Sequence, residues 1–495
     1  MDLQKRSDML ARAKKALSDK SAGEKLHKSG KKTAHETLAG FFDDGTFSEI
    51  ASYVKAYVNE LGTTDPDGYE AVVCGYGAVD GRLVFAYAED LSRLNGAFTK
   101  AAAGKIAAVY DMAKKNGAPV VSFLDSNGAK VPEGIDVLAG YGTVMQKVAS
   151  VKGKVPQIAV VLGKAVGAAA VIASMADVTF AVEGASFSVL PANVLVDAGA
   201  EKTVGTADYA FENGFVADKA VTAEEAFAKV RAVLSYLPSN KLDKNVYAGV
   251  EDDANRATPE IADIAAKADY DAHALLSVIA DGGAYYELSA GKGKSMLTAF
   301  AFIGGIPVGV IANNPSHNGG KLCACGLSKA AMFVKLCNSF GISLLNLVGT
   351  AGFSEKCEAN GADVAGKAAW LADAYARASV PVVTLNVGEA YGSAFAVMGS
   401  KALGADVVYA LDTAKIGVLS PASGVAMLWS DKLAGAKAPI EKRAALEEDY
   451  ALHCEAPLLA AYAGEIDDVI PAELVRAKLA SALDMLSMKT QFAAL

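Results

Sequence analysis

Two stretches of this chain place glycines and small residues where a strand gives way to a helix. In the stretch Val387-Gly-Glu-Ala-Tyr-Gly-Ser-Ala-Phe-Ala-Val-Met398, Gly388 and Gly392 stand four apart, just after the apolar run Val380-Pro-Val-Val-Thr-Leu-Asn386. The same spacing occurs in Gly163-Lys-Ala-Val-Gly167-Ala168-Ala169, after Pro156-Gln-Ile-Ala-Val-Val-Leu162. A sharp turn at such a junction leaves the first N–H groups of the helix without partners and pointing outward, where they stabilise developing negative charge. A packing turn has the same composition, so it is the recurrence that carries the functional reading. Each half also has a second glycine-bearing strand end, Asn127-Gly128 and Gly352-Phe353. Donors on two turns can converge on one oxygen, as an enolate or a tetrahedral oxyanion requires. Two such pockets imply two carbonyl-bearing partners.

The elements that must position these turns read as alternating strands and helices. The stretch His35 to Glu49 predicts a helix ending in an Asp-Asp-Gly turn, and Ala71 to Tyr87 predicts two strands joined at Asp80-Gly81. A helix is expected from Lys105 to Lys115, then buried strands from Pro119 and Pro156, which argues for βαβ crossovers. The second half repeats this order. Ile342 to Gly352 echoes Ala118 to Gly128 at an offset of about 224 residues, and Gly305 echoes Gly81. The period is too long for a solenoid and implies a duplicated domain. Lys241 to Gly293, rich in Asp, Ala and Lys, reads as an interdomain connection with helical pieces, and Leu474 to Met488 as an amphipathic closing helix.

Composition narrows the classes. A chain of 495 residues exceeds one ordinary core, and 52% hydrophobic residues suit a tightly packed α/β protein. The net charge of -9 argues against nucleic-acid binding. Lysines 14, 15, 20, 25, 28, 31 and 32 concentrate at the start, as a solvated helix or a docking arm. Of six cysteines only Cys323 and Cys325 are close-spaced, so reduced thiols and no metal are expected. No apolar run suits a membrane span or a signal peptide, so a soluble cytoplasmic protein is expected.

On the motifs Gly75-Tyr-Gly-Ala-Val-Asp-Gly81, Glu133-Gly-Ile-Asp-Val-Leu-Ala-Gly-Tyr-Gly142, Ala390-Tyr-Gly392 and Leu403-Gly-Ala-Asp406, the chain resembles the carboxyltransferase subunits of biotin-dependent acyl-CoA carboxylases and decarboxylases. The resemblance covers nearly everything after the basic segment, in order. It implies two tandem crotonase-like α/β domains, each a ββα superhelix. Residues 1–33 would be a basic helical segment, 34–245 the acyl-CoA domain and 246–495 the biotin domain. It further implies transfer of a carboxyl group between carboxybiotin and an acyl-CoA thioester, of acetyl, propionyl, malonyl or methylmalonyl type, through an enolate held by backbone donors. Gly167 and Ala168 then align with the donors toward the thioester carbonyl, and Ser393 and Ala394 with those toward biotin. Asn127, Gly128, Ala129, Lys130, Gly352, Phe353 and Ala396 align with the substrate-binding positions. The sequence holds no biotinyl-lysine or ATP-grasp motif. Biotin is therefore expected on a separate carrier protein, with a biotin carboxylase or membrane decarboxylase subunits as further partners, and the family assembly is a hexamer built as a trimer of dimers.

Several positions depart from the family pattern. Lys130 stands for Arg, Ala168 for Gly, Gly349 for Asp, Gly388-Glu389 for Arg-Lys and Phe395-Ala396 for Tyr-Asp. These departures leave open a degenerate, structural subunit. Two other readings remain on the same fold: a crotonase-type hydratase or hydrolase using Glu133 and Glu183, and a Ser393 nucleophile served by His453.

Overall fold

Asp80-Gly81 and Gly304-Gly305 each turn a two-residue hairpin with both residues at positive φ: 50° and 77° in the first, 59° and 80° in the second. That conformation matches strand twist, and it is why Gly and Asp stand there. Each hairpin seeds one sheet. The computed structural model describes residues 3–17, 21–55, 69–243, 252–434 and 438–489. The chain divides into two compact units, Met1–Lys244 and Asn245–Leu495.

In unit 1 the sheet runs in chain order: β1 (Ser48–Ile50), β2 (Val72–Val79), β3 (Arg82–Glu89), β4 (Val120–Leu124), β5 (Gln157–Val161), β6 (Val178–Val182) and β7 (Asp218–Ala220). The first three are antiparallel and the rest join in parallel. Strands β4, β5 and β6 are buried at every position, as parallel strands covered on both faces must be. Helices α1 (Ala34–Phe41), α2 (Lys100–Asn116), α3 (Ile135–Val151) and α4 (Ala168–Met175) connect or cover them. Ile106, Val109, Val144 and Val148 of α2 and α3 enter one core with Val72, Tyr87 and Val120.

Unit 2 repeats the plan with β8 (Tyr285–Glu287), β9 (Met296–Ile303), β10 (Ile306–Asn313), β11 (Ser343–Thr350), β12 (Val382–Tyr391), β13 (Val407–Leu411) and β14 (Asp468–Ile470). A short strand, Lys415–Gly417, pairs in parallel with the end of β12. Its helices include α5 (Ala272–Ile279), α6 (Ala324–Ser339), α7 (Val364–Ala376), α8 (Gly392–Val397) and α9 (Val475–Met485). The register repeats too: Phe85 pairs with Val120, and Gly309 with Leu344.

Two expectations need correction. The stretch from 252 to Gly293 is part of unit 2 rather than a connection: α5 and β8 stand to the second hairpin as α1 and β1 stand to the first. Residues 244–251 lie outside the described residues. The shared plan reaches individual contacts. His35 pairs with Glu49 at 2.9 Å and His273 with Glu287 at 2.8 Å. Asp43 accepts the N–H groups of Asp80 and Gly81, and Asp281 those of Gly304 and Gly305. The basic N-terminal segment likewise does not stand apart. It forms two helices, Leu3–Leu17 and Ser21–Lys28, after which Lys31 and Lys32 pair with Asp125 and Glu224 of the same unit. Among the described residues no helix is long and apolar enough to cross a membrane.

Candidate active site

After β4 the chain forms the loop Asp125–Lys130, and its donors are largely committed. Asn127 N–H donates to Gly96 O (3.0 Å), Gly128 N–H to Ser126 Oγ (3.1 Å) and Lys130 N–H to Phe98 O (2.8 Å). Gly128 takes φ 94°, and Ala129 pairs beside Phe98 in a short parallel ladder. Residues alternate in direction along such a ladder, so the Ala129 N–H faces away from Phe98. In unit 2 the same loop recurs. Gly352 takes φ 123°, its N–H donates to Thr350 Oγ1 (3.3 Å), and Leu322 N–H and Ser354 N–H bond around Phe353 at 2.9 Å each. Phe353 N–H is thus the counterpart of Ala129 N–H. A hydroxyl two residues before each glycine holds the turn, a Ser/Thr-x-Gly signal that glycine spacing alone did not bring out.

The helix-start turns follow β5 and β12. Gly167 sits at φ 69°, and its N–H donates to Ser188 O at 3.0 Å. This corrects the expectation that Gly167 is a donor: it makes the turn, and Ala168 is the first residue here whose N–H has no acceptor among the described residues. Ala168 is not among the residues at positive φ, so replacing glycine there brings no backbone strain. In unit 2 Gly392, at φ 60°, makes the equivalent turn. The N–H groups of Ser393 and Ala394 have no acceptor among the described residues, and the Ala394 side chain is buried while Ser393 and Ala396 are exposed.

Side chains at these loops do less than expected. Asn127 spends both ends of its amide locally, donating to Asn95 O and accepting from Lys164 Nζ. Lys130 Nζ is buried near Glu70 and has no hydrogen-bond partner among the described residues. Glu133, considered as an acid or base, uses Oε2 to accept the N–H of Lys100 at the start of α2, and Glu183 is exposed. His453 is exposed and its ring bonds Asp449 O, and among the described residues it makes no hydrogen bond to Ser393.

A half-buried acid, Glu89, meets the first loop of unit 1, and a buried one, Glu455, lies beside the helix-start turn of unit 2. Glu89 accepts Asp125 N–H at 2.9 Å; burial, then the neighbouring Asp125 carboxylate, push its carboxyl up to about 8. In unit 2 Tyr391 Oη donates to Glu455 Oε2 at 3.2 Å, and burial raises the Glu455 carboxyl above its ordinary value. Neither acid was marked by sequence spacing, because each is brought in from a distant element.

The carboxyl transferase domain family matches residues 25–494. Methylmalonyl-CoA decarboxylase subunit alpha of Propionigenium modestum is 36% identical over 94% of this chain and 92% of its own length. The carboxyltransferase subunit of propionyl-CoA carboxylase from Haloferax mediterranei is 34% identical over 99% and 97%. Among solved structures, the hexameric transcarboxylase 12S with hydrolysed methylmalonyl-CoA bound superposes with a TM-score of 0.90 at 30% identity, over 99% of this chain and 96% of that one. With the paired turns in place on two crotonase-like units, the chain belongs to the carboxyl transferase domain family and is an acyl-CoA carboxyltransferase.

Proposed function

We propose that this chain is the carboxyltransferase component of a biotin-dependent complex, with unit 1 holding the acyl-CoA and unit 2 the biotin. The observation that carries the reading is the duplicated pair of turns. Ala129 and Ala168 offer N–H groups in unit 1, and Phe353 with Ser393 and Ala394 offers them in unit 2. In unit 1 the two donors hold the thioester carbonyl oxygen and stabilise it more strongly as an enolate, which is where the rate gain arises. In unit 2 the donor set is purely N–H and aimed by a helix start, so it fits a neutral or anionic urea oxygen and no metal. Biotin, when bound on its carrier protein, supplies or accepts the carboxyl group. The chain's own part is to orient the α-carbon of the thioester and to keep the enolate oxygen paired. The names of the relatives support propionyl-CoA and methylmalonyl-CoA as the acyl pair, and the transcarboxylase 12S likeness supports a hexamer.

The test is carboxyl exchange. Purified protein with methylmalonyl-CoA and free biotin, or with propionyl-CoA and a carboxylated carrier, is expected to move labelled carboxyl groups. No transfer in either direction across acetyl, propionyl, malonyl and methylmalonyl thioesters would sink the reading.

A further inference from the structure

Thr99 and Lys130, the residues that follow the Phe98–Ala129 pair, lead into a group of charged side chains in unit 1 that the transfer reaction does not use. Glu70, Thr99, Lys105 and Glu133 are all buried. Glu70 Oε2 accepts the Thr99 hydroxyl at 2.5 Å, and Thr99 Oγ1 caps α2 by accepting Ala102 N–H at 2.9 Å. Glu133 Oε2 accepts Lys100 N–H at 2.8 Å, while its own N–H donates to Lys130 O at 2.9 Å. The start of α2 is thereby tied to both sides of the donor loop.

Three atoms of this group are left over. Lys130 Nζ, Glu70 Oε1 and Glu133 Oε1 are buried and have no hydrogen-bond partner among the described residues. Burial raises the Glu70 carboxyl above its ordinary value; the Thr99 bond lowers it, Glu133 raises it, and Lys105 and Lys130 lower it, so these four charges act on one space. Lys105 is committed to Val72 O at 2.6 Å and also faces Glu49 and Arg93, which have His35 and Asp90 as partners of their own. Buried ions are rarely left unanswered, and here one ammonium remains for two carboxylate oxygens, met directly or through enclosed water. Unit 2 holds the same point without charge. The offset of 224 puts Ser354 in the place of Lys130; it is buried, its N–H bonds Leu322 O as Lys130 N–H bonds Phe98 O, and its Oγ accepts from Asn318 Nδ2 at 3.3 Å. At both loops the side chain after the donor residue is therefore anchored inside the fold.

We propose that Lys130 is a positioning residue: its ammonium, neutralised inside unit 1 by Glu70 and Glu133, holds the Gly128–Ala129 strand against Ala97–Phe98 and so keeps the Ala129 N–H aimed at the thioester oxygen. The inference rests on the reading of unit 1 as the acyl-CoA side and deepens it. Without this cation two buried carboxylates face Lys105 alone, and their repulsion falls on the segment that carries the donor. Removing one of the two carboxylates restores the balance.

The full chain carrying Lys130→Met, and the double variant Lys130→Met/Glu70→Gln, test it; the glutamine keeps an oxygen for Thr99 while removing the stranded charge. In hydrogen exchange read by mass spectrometry, without substrates, Lys130→Met should speed deuterium uptake across residues 125–133 by about ten-fold and leave the Ser393 turn at the wild-type rate, with the double variant restoring both loops to wild type. In carboxyl exchange between methylmalonyl-CoA and biotin, Lys130→Met should lower kcat by about 10²-fold, the cost of misplacing a group by about an ångström, with KM for biotin unchanged. The double variant should recover at least about ten-fold of that loss. A Lys130 that touched the thioester would instead raise the KM for methylmalonyl-CoA and gain nothing from Glu70→Gln. Wild-type uptake at residues 125–133 in Lys130→Met overturns the proposal, as does a double variant no better than the single one. A wild type without carboxyl exchange sinks the transfer reading alone, and the uptake measurement still decides whether Lys130 holds the loop.

Discussion

At the residue scale the chemistry rests on backbone N–H groups, so side-chain and backbone substitutions separate cleanly. Ser393 is exposed, is the second residue of α8 and makes no side-chain hydrogen bond among the described residues. Ser393→Ala should hold exchange within about two-fold, whereas Ser393→Pro removes the donor at a helix start that tolerates proline and should lower kcat by about 10² to 10³. An inactive alanine variant with a native melting curve would show that the hydroxyl takes part. Glu89 gives a second prediction, in pH. Its carboxyl is raised from an ordinary 4.5 to about 8 by burial first, so the fold keeps a proton that the unfolded chain releases. Its stabilising contribution is therefore complete below about pH 4.5 and fades as pH rises toward 8, by a few kcal/mol at most. Urea midpoints should fall between about pH 5 and pH 8 in the wild type and fall less in Glu89→Gln. Equal slopes would mean that Glu89 titrates normally.

At the element scale the repeated device is a hairpin turn capped by an aspartate that an arginine neutralises. Arg231 reaches Asp43, Asp80 and the carbonyl of Phe41, while Arg476 reaches Asp281 and the carbonyl of Ile279. The two arginines differ in setting: Arg476 is fully buried, whereas the Arg231 side chain is 25% exposed. Arg476→Met should cost about 3–5 kcal/mol because it strands the buried Asp281, and Arg231→Met only about 1 kcal/mol because water reaches that pair. Equal losses in chemical denaturation would contradict the burial argument. This device also marks how far the sequence could be read. The hairpins, the buried strands and the glycine turns repeat at a near-constant offset, and their local chemistry is visible in Asp80-Gly81 or Gly163-x-x-x-Gly167. The His and Asp partners sit at a different offset, because the segment joining β1 to β2 is longer than the one joining β8 to β9. That shift is why α5 and β8 looked like a connection. Which N–H groups are committed was not legible at all, since the acceptors of Gly167 and Asn127, Ser188 O and Gly96 O, come from other loops.

At the scale of the whole molecule, the loop that offers Ala129 leads into a surface that a lone chain would not keep. Val131, Ile135 and Leu138 are 81%, 76% and 59% exposed, and the last two stand three apart on one face at the start of α3. Large apolar side chains grouped this way mark a surface that another chain covers. In the proposed hexamer that cover lies within a few residues of the acyl-CoA donors, so assembly and activity are tied together. Replacing Ile135 and Leu138 with glutamate touches no buried group and should change the stability of the isolated fold by less than about 1 kcal/mol. The same change places two charges in an interface core, where they are left without partners. Light scattering should then report six chain masses for the wild type and a smaller species for the double variant, with carboxyl exchange lost alongside. A double variant that stays hexameric would place the subunit contact on another face, and a smaller species that keeps full exchange would free the chemistry from assembly.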